Sequence, residues 1–100
     1  MSVLHTSVRK IWFEQIKNGT KKEEYKEVSS YWTDRLCNGS VFYHYDAVVF
    51  HCGVETLLVE CKGIECDFGD ISKGAPVGKA YIIRLGRVLR YYIDHSRITW

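Results

Sequence analysis

The hydrophobic and polar positions in the first third of the chain predict a strand, a helix and a second strand. Residues 2–8 are rich in β-branched side chains and contain no breaker, as in a strand. An apolar stripe at helical spacing follows, formed by Trp12, Phe13 and Ile16. Asn18-Gly19 is a signal that ends helices, so this helix is predicted to be about two turns long. Residues 22–28 are predicted to form a second strand, whose side chains alternate between two faces.

Residues 29–37 predict a second short helix. Ser29-Ser30 offers an N-terminal cap, and the helix follows over residues 31–37. Trp32 and Leu36, with Tyr31 beside them, are predicted to face the core. Four side chains are expected to be mainly buried and to pack the two helices on the sheet: Trp12, Phe13, Ile16 and Trp32.

The rest of the chain predicts three more strands. Residues 46–52, 56–66 and 80–93 are β-branched runs, and Gly86 interrupts the last of them. Residues 67–79 are rich in glycine and poor in apolar side chains, so they are predicted to form a surface loop. The order strand, helix, strand, helix and three strands favours an α+β fold with an antiparallel or mixed sheet that curls.

The composition is that of one globular domain. The chain has 100 residues, 46% of them hydrophobic, which is enough for a single core. A net charge of +2 does not decide between a nucleic-acid partner and a neutral one. No apolar run has the length of a signal peptide or of a membrane span, so we expect a cytoplasmic protein with no membrane partner. Nothing in the sequence indicates the oligomeric state.

The cysteine, histidine and glycine spacings argue against a metal or a nucleotide cofactor. In the cytoplasm we expect reduced thiols at the four cysteines, which are Cys37, Cys52, Cys61 and Cys66. No C-x-x-C or H-x-x-x-H spacing is present, so no metal site is predicted. The glycines at 69, 74 and 78 fit neither a phosphate-binding loop nor a dinucleotide fingerprint, so no cofactor is predicted.

The charged stretch NGTKKEEYKEV, residues 18–28, is the first candidate site. Alternation along a strand places Glu24 and Lys26 on one face, and Lys21 follows the turn that ends the first helix. The three side chains can therefore converge in a polar pocket that binds a phosphate or a base. The alternative is a solvated edge strand whose charges prevent aggregation.

A second candidate is the cluster of arginines and aromatic residues near the C-terminus. Its members are Arg84, Arg87, Arg90, Tyr91, Tyr92, Arg97 and Trp100. Arginines interleaved with aromatic rings suit phosphate contacts combined with base stacking. The alternative is a strand whose aromatic side chains enter the core while its arginines face water.

The stretch Gly19-x-Lys21-x-x-Glu24-x-Lys26 resembles the G-x-K-x-x-E-x-R signature of the ASCH domain family. The likeness extends to the segments around the signature: Trp12-Phe13-Glu14 with Ile16, Tyr31-Trp32-x-x-Arg35-Leu36, Phe50-His51-Cys52-Gly53 and Tyr81-Ile82-Ile83-Arg84-Leu85-Gly86-Arg87-Val88. It therefore covers nearly the whole chain.

The resemblance implies a PUA-like mixed β-barrel of about five or six strands with two short helices. It also implies a cleft near the signature that meets RNA or a nucleoside. Lys21, Glu24 and Lys26, supported by Arg84 and Arg87, are then the ligand-binding residues.

Two departures from the family pattern bear on function. Lys26 stands where arginine is common, which keeps the charge but loses the two-pronged hydrogen bonding of a guanidinium group. One branch resembles hydrolases that deacetylate N4-acetylcytidine with a lysine, a threonine and a later glutamate. Here Glu24 stands at the threonine position, and the loop at residues 69–79 offers only Asp70 as an acid.

Three hypotheses follow for the function. The first is a non-catalytic domain that binds RNA or a nucleotide. The second is a small hydrolase, such as an N4-acetylcytidine amidohydrolase or a ribonuclease, with Glu24 as general base and Lys21 stabilising an oxyanion. The third is a regulatory interaction domain with no nucleic-acid ligand.

Overall fold

The computed structural model of the chain describes residues 1–94, in which two helices and seven strands form. In chain order they are β1 (Val3–Ser7), α1 (Lys10–Lys17), β2 (Glu23–Glu27), α2 (Ser30–Leu36), β3 (Cys37–Asn38), β4 (Val41–Phe42), β5 (Ala47–Cys52), β6 (Glu55–Phe68) and β7 (Lys79–Ile93). None of the helices in this range is both long and apolar enough to cross a membrane.

Five strands form one mixed sheet in the order β1-β5-β6-β7-β2, which curls into a half-barrel. Strands β1 and β5 are parallel, and the other neighbours are antiparallel. The prediction of an α+β fold with a curled, mixed sheet is confirmed. Strands β1 and β2 are the two edges, so the half-barrel is open between them.

Both helices form where the sequence predicts them. In α1, Phe13 and Ile16 are buried, whereas Trp12 is half-buried. The helix ends at Asn18, and Gly19 has a positive φ of 84°, a conformation that glycine adopts without steric strain. In α2, the Ser29 hydroxyl accepts a hydrogen bond from the backbone N–H of Trp32 at 3.3 Å.

Two sequence predictions need correction, and two further features were not predicted. Tyr31 does not face the core, because the residue is 55% exposed and lines an open surface pocket. Strand β7 is continuous through Gly86, although its pairing with β6 shifts register on both sides of this glycine. The loop after β6 contains a turn of 3-10 helix at Ile71–Lys73, and β3 and β4 form a small separate hairpin.

The two faces of the sheet carry two cores. The larger core lies where α1 and α2 pack, and it includes Phe13, Leu36 and Ile83. We call this side of the sheet the core face and the other side the outer face. The smaller core, on the outer face, is formed by Tyr25, Ala75, Ala80 and Ile82.

The register of β2 against β7 places the charged residues on different faces. Glu24 lies opposite Ile83 and therefore points to the core face, as does Lys26. Glu23 lies opposite Arg84 and points to the outer face. The predicted alternation of this strand is confirmed.

Candidate functional site

The opening between the two edge strands forms a cleft. Its outer part is a pocket of about 340 Å³ lined by His5, Thr6, Ser7, Lys26, Tyr31, Trp32 and His51. Its inner part is a pocket of about 190 Å³ lined by Ser7, Val8, Arg9, Trp12, Glu24, Tyr25, Lys26, Lys73 and Gly74. Ser7 and Lys26 line both pockets, so the two pockets are adjacent. We call them together the β1–β2 cleft.

Lys21, Glu24 and Lys26 meet beside the inner part of this cleft. Glu24 and Lys26 line it, whereas Lys21 borders a separate pocket next to Asp70. Glu24 Oε1 lies 3.7 Å from Lys21 Nζ, and Glu24 Oε2 lies 3.3 Å from Lys26 Nζ. Each carboxylate oxygen therefore has its own ammonium group. Glu24 Oε1 also accepts a hydrogen bond from the backbone N–H of Tyr25 at 3.2 Å. We call these three residues the Lys–Glu–Lys triad.

Lys21 is enclosed by protein. Its side chain is only 1% exposed, and its ammonium group donates a hydrogen bond to the Lys73 carbonyl oxygen at 2.6 Å. The ammonium also lies 4.4 Å from the ring centroid of Tyr25 and 5.0 Å from that of Trp12. Burial lowers the pKa of Lys21, although the neighbouring Glu24 acts in the opposite direction. Lys21 thus ties the loop after β6 to β2 and holds Glu24 in place.

Lys26 is the triad cation that lines the cleft. Its side chain is 11% exposed and borders both the outer and the inner pocket. Its ammonium lies 4.7 Å from the ring centroid of Trp32, a geometry that stabilises a cation over an aromatic face. A ligand in the cleft can therefore contact Lys26 and the half-buried indole together.

The inner wall depends on a glycine. Gly74 has a φ of 98°, and a Cβ atom built there would lie 2.9 Å from Cε2 of Trp12. A side chain at this position would be strained and would push against the indole. Gly74 therefore lets the loop approach Trp12 closely enough to form this wall.

Arg84 and Arg87 lie elsewhere, in a separate pocket on the outer side of the sheet. Arg84 forms an ion pair with Glu23 at 2.7 Å and another with Glu65. The structure therefore does not bring these two arginines to the triad. Of the other residues in the C-terminal cluster, Arg90 packs on Tyr92, whereas Arg97 and Trp100 lie outside the described residues.

Sequence reasoning missed β1 as a wall of the cleft. His5 and His51 lie 46 residues apart, and no spacing rule links them. They meet because β1 and β5 pair in parallel, with Ser7 opposite His51. Periodicity in a sequence relates residues within one helix or strand, so the sequence contained no signal for the contact between His5 and His51.

No metal centre is indicated in the part of the chain that the structure describes. Within residues 1–94, no group of three or more histidine, cysteine or acidic side chains is arranged to hold a metal ion. All four cysteines fall in this range, and none of them is bridged in the structure. Burial raises the pKa of the Cys61 thiol, which makes that cysteine a poor nucleophile.

Tyr25, which lies between Glu24 and Lys26 on β2, gives a test of the site by alkaline titration. Its hydroxyl donates to Glu23 Oε1 at 2.7 Å, and burial, with this hydrogen bond adding to it, raises the pKa of Tyr25 to about 12. A tyrosine in the unfolded chain ionises near pH 10. The contribution of the protonated Tyr25 hydroxyl to the stability of the fold is therefore fully present below pH 10 and is lost as the pH rises towards 12. At pH 11 we expect wild type to have lost about 1.4 kcal/mol relative to Tyr25→Phe.

Urea denaturation of both proteins at pH 9, 10 and 11 measures this loss. Tyr43→Phe, at a ring that is 44% exposed, controls for the general effect of alkali. A difference between wild type and Tyr25→Phe that stays constant across this range would contradict the prediction.

Comparison of the chain with protein-family models, with curated proteins and with solved structures found no match. The function of the cleft must therefore be inferred from its own residues.

Proposed function

We propose that the chain is an ASCH-type domain of PUA-like fold whose β1–β2 cleft binds a nucleotide of single-stranded RNA. The observation that carries this proposal is the Lys–Glu–Lys triad at the cleft, with a half-buried tryptophan on either side of it. Lys21 contacts the ring of Trp12, and Lys26 contacts the ring of Trp32. The signature-like residues therefore converge on one volume.

The chemistry of the cleft suits a nucleotide. Lys26 can donate a charge-assisted hydrogen bond to a phosphate oxygen or a base carbonyl. Glu24 can accept a hydrogen bond from an exocyclic amine of a base. The indole of Trp32 supplies flat apolar surface, and single-stranded RNA is commonly recognised by stacking its bases on such rings.

The triad is also preorganised for binding. Glu24 is held by Lys21 and by the backbone N–H of Tyr25 before any ligand arrives. A ligand therefore does not have to order this carboxylate, and affinity is gained when such ordering is done in advance. In this proposal Lys21 positions Glu24, and Lys26 contacts the ligand.

The geometry supports binding better than hydrolysis. A hydrolase of the kind considered above needs Lys21 to reach an oxygen of the reacting group. The Lys21 side chain is 1% exposed, and its ammonium is committed to the Lys73 carbonyl and to Glu24. A substrate would have to displace both contacts before the lysine could stabilise an oxyanion.

A titration followed by NMR chemical shifts tests the proposal. The ligands are uridine, cytidine, N4-acetylcytidine and a short single-stranded RNA. We expect the RNA to shift the backbone amides of β1, β2 and α2. Lys26→Ala should weaken binding by about tenfold to a hundredfold, because it removes one charge-assisted hydrogen bond.

Lys79→Ala is the matched control, since it removes the same charge from an exposed position outside the cleft. It should leave the affinity nearly unchanged. The slope of log K against log salt should also fall in magnitude by about 0.7 in Lys26→Ala if the lysine contacts one phosphate of a single strand. Equal effects of the two substitutions, or shifts confined to other surfaces, would contradict the proposal. If the cleft binds none of these ligands, the result would favour the hypothesis of a regulatory interaction domain with no nucleic-acid ligand.

A further inference from the structure

Two histidines in the outer part of the cleft are in direct contact. The rings of His5 and His51 lie nearly parallel, with centroids 5.3 Å apart and 12° between their planes. His5 Nδ1 and His51 Nε2 lie 3.0 Å apart, which is a hydrogen-bond distance. One of these two nitrogens must therefore carry a hydrogen and the other must accept it.

This geometry limits how the pair can hold protons. The neutral pair has one hydrogen between the rings and one on an outer nitrogen. Addition of one proton gives the pair a single positive charge and keeps the shared hydrogen bond, and both outer nitrogens then carry N–H groups. Addition of a second proton would place two N–H groups against each other at 3.0 Å, which is repulsive. The pair is therefore suited to carry one positive charge.

The surroundings of the pair favour an anion. Lys26 faces the same pocket from β2, and Tyr31 and Trp32 face it from α2. Thr6 and Ser7 contribute hydroxyl groups from β1. No carboxylate is among the described residues that line this pocket. Glu24, the acid of the triad, lines the inner part of the cleft and is paired with Lys26.

We propose that His5 and His51, together with Lys26, form a phosphodiester subsite that binds RNA more tightly when the histidine pair is protonated. The subsite rests on the proposed function and specifies where the backbone lies. The phosphate sits between the pair and Lys26, and the attached base lies against Trp32. Protonation gives the pair a positive charge that attracts the phosphate.

The test uses uridylyl-(3′,5′)-uridine, because its phosphodiester keeps one negative charge through the pH range. A terminal phosphate would change its own charge near pH 6 and obscure the result. Affinity is measured by calorimetry at about pH 5.5 and about pH 8, on either side of the ordinary imidazole value, at constant ionic strength. We expect wild type to bind about tenfold more tightly at the lower pH, the effect of one charge-assisted hydrogen bond.

The variants His5→Gln and His51→Gln should lose this pH dependence. His5 is exposed, so its substitution should leave the fold intact, which a backbone amide spectrum verifies. His44→Gln is the control, because it removes an exposed imidazole that contacts Asp46 and lies outside the cleft. It should behave as wild type does.

The outcomes separate the subsite from the proposed function. If the dinucleotide binds with equal affinity at both pH values, or if His5→Gln keeps the difference, the subsite is overturned and RNA binding stands. If the dinucleotide does not bind but sulfate binds at the lower pH and requires His5, RNA binding fails and the anion subsite stands. If neither ligand binds, both proposals are overturned.

Discussion

Lys21→Met is expected to lower the free energy of unfolding by about 2 to 3 kcal/mol. Methionine keeps most of the length and apolar contact of the lysine side chain, so the change mainly removes the ammonium group. Glu24, whose side chain is only 7% exposed, then loses one of its two cations, and the Lys73 carbonyl loses its donor. Removing one partner of a buried ion pair costs about 3 to 5 kcal/mol. The expected loss is smaller here, because Lys26 still pairs with Glu24.

Lys22→Met is the matched control, because the neighbouring lysine is exposed. Its effect should stay within about 0.5 kcal/mol. Chemical denaturation of both variants at neutral pH measures the difference. The double variant Lys21→Met with Glu24→Gln should be less destabilised than the sum of its single changes, because the uncompensated carboxylate is removed. A Lys21→Met protein as stable as Lys22→Met would show that the buried ammonium does not support the site.

The pH dependence of this effect has a definite sign. The pKa of Lys21 is lowered by burial, so the folded protein releases this proton before the unfolded chain does. Wild type should therefore gain stability relative to Lys21→Met as the pH rises through the folded pKa towards 10.5, the ordinary value for lysine. The gain disappears as the pH returns to neutral. Parallel urea titrations of the two proteins from neutral pH upwards measure it.

Phe13→Ala is expected to have the largest effect on stability, about 3 to 5 kcal/mol. The ring is 0% exposed and lies in the larger core beneath the cleft, where α1 packs on the sheet. Truncation to alanine removes its apolar contacts and leaves a cavity that rigid strands on the other side cannot fill completely. A loss of this size is a large share of the stability of a domain, which is typically about 5 to 15 kcal/mol.

Ile11→Ala controls for the change of helix propensity and side-chain size in the same helix. Ile11 is 55% exposed, so its loss should alter stability by about 0.5 kcal/mol or less. Urea denaturation monitored by circular dichroism compares the two variants with wild type. If Phe13→Ala and Ile11→Ala shift the midpoint equally, α1 does not pack on the core through Phe13.

The sequence alone determined the features that depend on local periodicity. The apolar stripe and Gly19 predicted the extent of α1, and Ser29 predicted the start of α2. Alternation along β2 correctly placed Glu24 and Lys26 on one face, because side chains of a strand point to opposite faces in turn. The convergence of the triad could also be predicted, because its three members lie within six residues of one another.

Only the tertiary structure decided which distant residues meet at the cleft. The parallel pairing of β1 with β5 joins His5 to His51, and the folding of the loop after β6 brings the Lys73 carbonyl to Lys21. The same sheet carries Arg84 on the outer side, away from the triad. These contacts follow from strand order, register and sheet curvature, which are set by packing of the whole chain. Local periodicity does not encode them, because it relates each residue only to its neighbours on the same element.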